Sequence, residues 1–297
     1  MDTASGIRLV VLAALWGGAF LCLRIGAPVF GPAHLTAWRV TLAAGFLLGV
    51  ALLLRRPLPR MASWRHFLVL GAFNSALPFL LFAYAGQRLN ASFMSILNAL
   101  APIYAADLGM LWRGVPLTAS AMAGLALGLL GVVILAWDNL AAAGPVAWPA
   151  LAAALLAPLF YAFASLYAQR GGATNAFDNA HGSMWAAALL TLPVALLEPP
   201  TGRVADTTAW LAVLALGILC TGLAFLLYFR LMVDIGPMRT LTVTFLIPVF
   251  GVLWGAVLLG EPVGWTLVLG GICVLAGIAL ANGRVPWRRS AAAGAAP

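Results

Sequence analysis

The residue whose chemistry stands out is Arg39, set in the otherwise apolar stretch AWRVTLAAG at 37–45. A guanidinium is a planar fork of donors suited to bidentate carboxylate binding. Inside a bilayer it is costly unless it faces protein, water or an anion. Arg39 therefore predicts either recognition of an acid or amino-acid carboxylate, or an architectural role, snorkelling to the outer surface or pairing with backbone carbonyls. Asp107 is the acidic residue well inside an apolar stretch, and embedded carboxylates serve as proton relays. It lies near the cytoplasmic end of its stretch, where it is expected to reach water or pair with Arg113. Nine residues at about 100° each set it roughly opposite Asn98 on a straight helix.

Two stretches place polar residues and prolines alike: NALAPIYAADLGMLWRGVPL at 98–117 and TFLIPVFGVLWGAVLLGEPV at 244–263. A proline removes the hydrogen bond to the carbonyl four residues back. Pro102 thus frees the carbonyl of Asn98, and Pro248 that of Thr244. Unpaired backbone survives in a membrane only where protein or a water-filled cavity satisfies it. Both prolines are expected to kink their helices, with Asn98 and Thr244 at a cavity wall or a packing seam. Trp16 and Phe20 stand one turn apart beside Gly17 and Gly18, a face able to stack on apolar cargo or on other helices. Asn74 and Ser75, with Cys220 and Thr221, are candidates to line the same cavity. The spacings Gly45 to Gly49, Gly124 to Gly128 and Gly251 to Gly255 predict close helix packing.

These residues need elements that hold them inside a bilayer. The 297-residue chain is 64% hydrophobic and 8% charged, against roughly a quarter charged in soluble domains. A spanning helix takes about 20 apolar residues. Ten such spans are expected, near 7–25, 34–54, 66–84, 91–111, 118–137, 148–168, 179–197, 209–229, 237–258 and 264–281. A barrel is disfavoured because its strands alternate apolar and polar residues. The first span lacks a small-residue cleavage pattern and reads as an uncleaved helix. Cys22, Cys220 and Cys273 fall within spans and read as packing residues.

The net charge of +8 does not indicate nucleic acid, because the arginines cluster at helix ends. With the N-terminus inside, twelve of them face the cytoplasm, among them Arg8, Arg55, Arg56, Arg60, Arg65 and Arg230, while Arg24, Arg88 and Arg203 face outward. That imbalance matches the positive-inside rule and puts both termini in the cytoplasm.

Shifting the sequence by 146 residues superposes 71–135 on 217–281 without a gap. Gly71, Gly109, Gly114, Gly124 and Gly131 meet Gly217, Gly255, Gly260, Gly270 and Gly277. Pro102 meets Pro248, and Pro116 meets Pro262. Each copy holds five spans, and an odd number inverts the second copy in the membrane. Inverted repeats are the usual architecture of machines that open alternately to either side. The expected division is 1–140 and 141–284, two five-helix repeats, with 285–297 as a cytoplasmic tail.

WGGAF at 16–20, AWRVTLAAG at 37–45 and two Pro-x(11)-Gly-x-Pro segments ending in RGVPLT and GEPVGW resemble the EamA-type transporters of the drug/metabolite transporter superfamily. The resemblance implies an all-α membrane protein whose halves surround a central cavity, and often an exporter of amino acids, other metabolites or drugs. The first-half loop departs from the Gly-Glu-Pro form, with Val115 where the second half has Glu261.

The expectation is a secondary transporter in a bacterial inner membrane, exporting a small metabolite such as an amino acid or drug-like solute. Its partners are that cargo and the lipid bilayer; oligomeric state is not indicated. No P-loop or His-Glu-x-x-His sequence is present, and no cofactor or metal is expected. The alternatives are a facilitated-diffusion carrier without proton coupling, and an intramembrane enzyme, which wants clustered acidic or histidine residues that this chain disperses.

Overall fold

The computed structural model describes residues 2–58, 63–112, 119–143, 147–168, 176–236, 240 and 242–282. Over these residues it is built of ten apolar helices. They are α1 (Thr3–Phe30), α2 (Pro32–Leu53), α3 (Trp64–Gly86), α4 (Ala91–Asn98 continuing as Ala101–Trp112), α5 (Ala119–Ala143), α6 (Trp148–Ala168), α7 (Ala176–Leu197), α8 (Thr207–Ile235), α9 (Val243–Leu259) and α10 (Trp265–Asn282). Seven are long and apolar enough to cross a membrane, and α5, α9 and α10 each supply a shorter apolar stretch. With water excluded, a helix is the element that satisfies its own backbone, and no strand occurs among the described residues. Arg113, Val115, Pro116 and the tail 285–297 lie outside the described residues.

In lipid there is no hydrophobic drive between helices, so close backbone approach carries association. Helix α5 packs on α10, α2 on α7 and α4 on α9, while α1 lies against α8 and α9, and α6 against α3 and α4. Adding five to every helix number maps these pairings onto themselves. Helices α5 and α10 run antiparallel: the start of α5 meets the end of α10, where Ser120 Oγ donates to the Leu280 carbonyl at 2.7 Å. A methyl on Gly131 would lie 2.7 Å from the Gly270 carbonyl oxygen, and one on Gly277 2.6 Å from that of Gly124. These are reciprocal contacts of residues 146 apart.

Two helix starts on one face are closed by carboxylates from the opposite half. Neither α2 nor α4 has a side-chain cap of its own. Glu198, just past α7, accepts from the Ala33 and His34 amides at 3.0 and 3.1 Å and contacts His34 Nδ1 at 2.9 Å. Gly31, at φ +83°, lets that carboxylate approach, since a Cβ there would stand 2.7 Å from Oε2. Glu261, after α9, accepts from the Ala91 amide at 2.7 Å, the Ser92 amide at 3.0 Å and Ser92 Oγ at 2.6 Å. Orphan amides and the positive end of the helix dipole both favour a carboxylate there.

The glycine spacings divide. Gly251 and Gly255 sit directly against Ser95, Ser92 and Glu261, and Gly128 against Ile103. Gly45 and Gly49 meet nothing within 4 Å, so the expectation of close packing there is wrong. Both point off the outer face of α2, and a four-residue spacing alone does not say which way a face points.

Candidate functional site

Arg39 lies seven residues past the start of α2, on the side turned to α8. Gly217 makes that crossing tight, because a Cβ would stand 2.6 Å from Leu42 Cβ and 3.1 Å from the Arg39 carbonyl oxygen. The side chain is 6% exposed. Its Nε donates to Thr221 Oγ1 at 2.9 Å, and Thr221 donates in turn to the Leu216 carbonyl at 2.7 Å. The guanidinium carbon sits 3.4 Å from the centroid of the Phe79 ring, a cation–π contact strengthened by burial. The terminal amino groups have no hydrogen-bond partner and no carboxylate partner among the described residues. The architectural alternative of snorkelling to the surface does not describe this side chain.

The surroundings come from both halves. Phe79 and Phe82 belong to α3, Tyr161 to α6, Cys22 and Phe20 to α1, and Cys220 and Thr221 to α8. Phe82 packs edge-on against Phe20 at 5.3 Å and stacks on Tyr161 at 6.5 Å. Tyr161, Cys22 and Cys220 fall within electrostatic reach of Arg39. All are neutral, so the site is one cation in an apolar, aromatic setting.

Two π-helical segments flank it. Ala72–Ala76 in α3 and Ala215–Leu223 in α8 widen the helix by one residue per turn, an irregularity that concentrates at functional sites. Ser75 and Thr221 occupy them 146 residues apart. Thr221 Oγ1 is engaged on Arg39, whereas Ser75 Oγ is fully buried without a hydrogen-bond partner among the described residues.

The other candidates spread out. Phe20 is buried against Phe82, and the half-buried Trp16 leans on Tyr228 at 5.4 Å; both rings already have protein partners. Asn74 is half-buried beside Ser75 in the π segment. Asn98 is half-buried and ends the first part of α4, where Ala99 and Leu100 tighten into bonds to the Ile96 and Leu97 carbonyls. Pro102 is the second residue of the resumed helix. Thr244, also half-buried, is the second residue of α9, and Pro248 lies inside that helix. Asp107 is 9% exposed, and its Oδ1 is buried with no hydrogen-bond partner among the described residues. The expected partner Arg113 is outside them.

Phe79, Phe82 and Tyr161 were not singled out by sequence. A signal existed for two of them: residues 75, 79 and 82 share one face of a helix, carrying Ser75 and both rings of α3 together.

The chain is similar along most of its length to known proteins named as transporters. A probable terminal-alkyne amino-acid exporter of Streptantibioticus cattleyicolor is 26% identical over 289 residues, spanning 95% of this chain and 94% of its own. The uncharacterized transporter YdfC of Bacillus subtilis is 23% identical over 277 residues, 90% of this chain and 87% of its own. A solved crystal structure shares the fold, with a TM-score of 0.66 at 21% identity over 95% of this chain and 97% of that one. The model of the EamA-like transporter family matches twice, at residues 4–137 and 148–283. With both helical halves matched, the chain belongs to the EamA-like transporter family and is a multi-pass membrane transporter.

Proposed function

We propose that the protein is a secondary, ATP-independent transporter that exports a small carboxylate-bearing metabolite by alternating access. The single observation carrying this reading is Arg39: a buried guanidinium, between helices of the two halves, whose terminal amino groups lack a counter-charge among the described residues. Such a group is costly in a membrane interior until an anion arrives, and cargo is an anion that comes and goes. The amino-acid exporter among its relatives favours amino acids as the class.

The moving parts in this reading are two inverted five-helix repeats, residues 1–140 and 141–284. Support comes from the antiparallel pairing of α2 with α7, α4 with α9 and α5 with α10 and from the reciprocal glycine contacts. The chain sits in a bacterial inner membrane with both termini cytoplasmic, as the arginine distribution argues. Rocking about the helix crossings exposes Arg39 to one side and then the other.

Counterflow in proteoliposomes tests this reading. Saturable exchange of carboxylate-bearing solutes, lost in Arg39→Ala, is the expected result. Exchange that survives Arg39→Ala makes the arginine architectural and the cargo neutral or cationic. No exchange across neutral, aromatic and acidic metabolites overturns the cargo class.

A further inference from the structure

Arg39 has a structural mate in the other half, and the comparison assigns a task to Thr221. Gly217 packs on the Arg39 carbonyl and Leu42, and Gly71 packs in the same way on the Ser183 carbonyl and Ala186, at 2.8 and 2.7 Å. Both pairs of neighbours are 144 residues apart. Ser183 thus stands where Arg39 stands, and Ser75 where Thr221 stands. The mate site carries no charge: Ser183 Oγ donates to the Ala180 carbonyl at 3.1 Å, and Ser75 Oγ has no partner among the described residues. Duplication left two hydroxyls at equivalent π segments, and the one facing a guanidinium is engaged.

We infer that Thr221 is a positioning residue for cargo recognition: together with Phe79 it fixes the Arg39 fork so that both terminal amino groups are presented to a single cargo carboxylate, one per transport cycle. This rests on the proposed reading of Arg39 as the anion site. Three constraints define the orientation. The Nε edge is taken by Thr221 at 2.9 Å, one face of the plane is taken by Phe79, and Thr221 is itself pinned to the Leu216 carbonyl. The guanidinium is itself a planar fork that pairs with a carboxylate through two parallel bonds, and with Nε and one face occupied the edge left open for that pair is the one carrying the two terminal amino groups. Immobilising the fork before cargo arrives removes an ordering cost from binding. Thr221 does this without touching cargo, because its hydroxyl hydrogen goes to Leu216 and its oxygen faces Nε.

The consequence is selectivity for a carboxylate over the matching amide, which offers one acceptor oxygen where a carboxylate offers two. The experiment measures leucine and leucinamide as competitors of counterflow, and benzoate and benzamide as thermal-shift ligands, on the full chain. Thr221→Val keeps the shape and removes both hydrogen bonds. It is expected to raise the KM for leucine about tenfold with maximal rate within about twofold, a loss of roughly 1.4 kcal/mol. It also erases the benzoate-over-benzamide stabilisation, with little effect on leucinamide. Thr221→Ser restores the wild-type values, and Ser75→Ala leaves the carboxylate-to-amide ratio unchanged.

Equal losses for acid and amide, a fall in maximal rate with KM unchanged, or failure of Thr221→Ser to rescue overturns the positioning role while leaving Arg39 as the anion site. A changed ratio in Ser75→Ala overturns the single-site asymmetry. Carboxylate preference absent from wild type, and insensitive to Arg39→Ala, removes the reading beneath both.

Discussion

Replacing Glu261 by glutamine tests how the two halves are fastened. The side chains are nearly isosteric, so the change isolates charge and acceptor number. In the wild type, Oε1 accepts from the Ala91 amide at 2.7 Å, and Oε2 accepts from the Ser92 amide and hydroxyl at 3.0 and 2.6 Å. Glutamine can place its oxygen at one of these positions. With that oxygen on Ser92, its NH2 faces the Ala91 N–H, donor against donor. One hydrogen bond to a charged acceptor, about 1.5–3 kcal/mol, is lost, and the others fall toward the neutral range of about 0.5–1.5 kcal/mol. The favourable charge at the helix start, worth about 0.3–1 kcal/mol, is lost as well. Partial relaxation and the half-buried setting bring the total to roughly 2–4 kcal/mol. A chain of this size loses about 2–4 °C in Tm per kcal/mol, so Glu261→Gln should unfold on the order of 5–12 °C lower in a detergent thermal-shift assay. Glu261→Asp keeps the charge but shortens the reach and should fall between. A Glu261→Gln protein melting within about 1 °C of wild type would refute the claim that this carboxylate closes α4.

Gly277→Ala drives a methyl to within 2.6 Å of the Gly124 carbonyl oxygen and 2.8 Å of the Gly128 nitrogen; backbone cannot step aside, so a loss of about 1–3 kcal/mol or more is expected, read as a lower Tm. Gly45→Ala and Gly49→Ala meet nothing within 4 Å and should be neutral or stabilise by about 0.5–1 kcal/mol each through helix propensity, so a melting loss at either would contradict the outward orientation of that face. Asp107 is a buried carboxylate with an oxygen unpartnered among the described residues, and if it carries a coupling proton, Asp107→Asn abolishes pH-driven accumulation while exchange continues. Accumulation that persists in that variant makes the protein's coupling independent of Asp107.

Much of the fold was legible because bilayer physics is written in composition. Ten apolar stretches cannot be satisfied except as helices, and predicted spans such as 148–168 and 179–197 fall on α6 and α7. The site was legible residue by residue but not as a constellation. Arg39 and Thr221 were both singled out, yet 182 residues separate them and nothing in either sequence neighbourhood joins them. Phe79 and Tyr161 are ordinary aromatic residues in apolar helices until the fold sets one under the guanidinium and the other beside it. Gly45 and Gly49 show the converse: their spacing is that of a packing motif, and the rotation of α2 turns it away from every neighbour.

The sequence by itself determined a helical membrane protein, its duplicated plan and the residues too polar for their surroundings, because those properties follow from local chemistry and from the repeat of 146 residues. Tertiary structure alone decided which of the two hydroxyls, Ser75 or Thr221, meets a charge, which glycines carry close contacts, and that Glu198 and Glu261 close helices of the opposite half. Each of these depends on the rotation and crossing of helices remote in the chain, and in a bilayer that is settled by backbone approach and by the demand that buried backbone groups be satisfied.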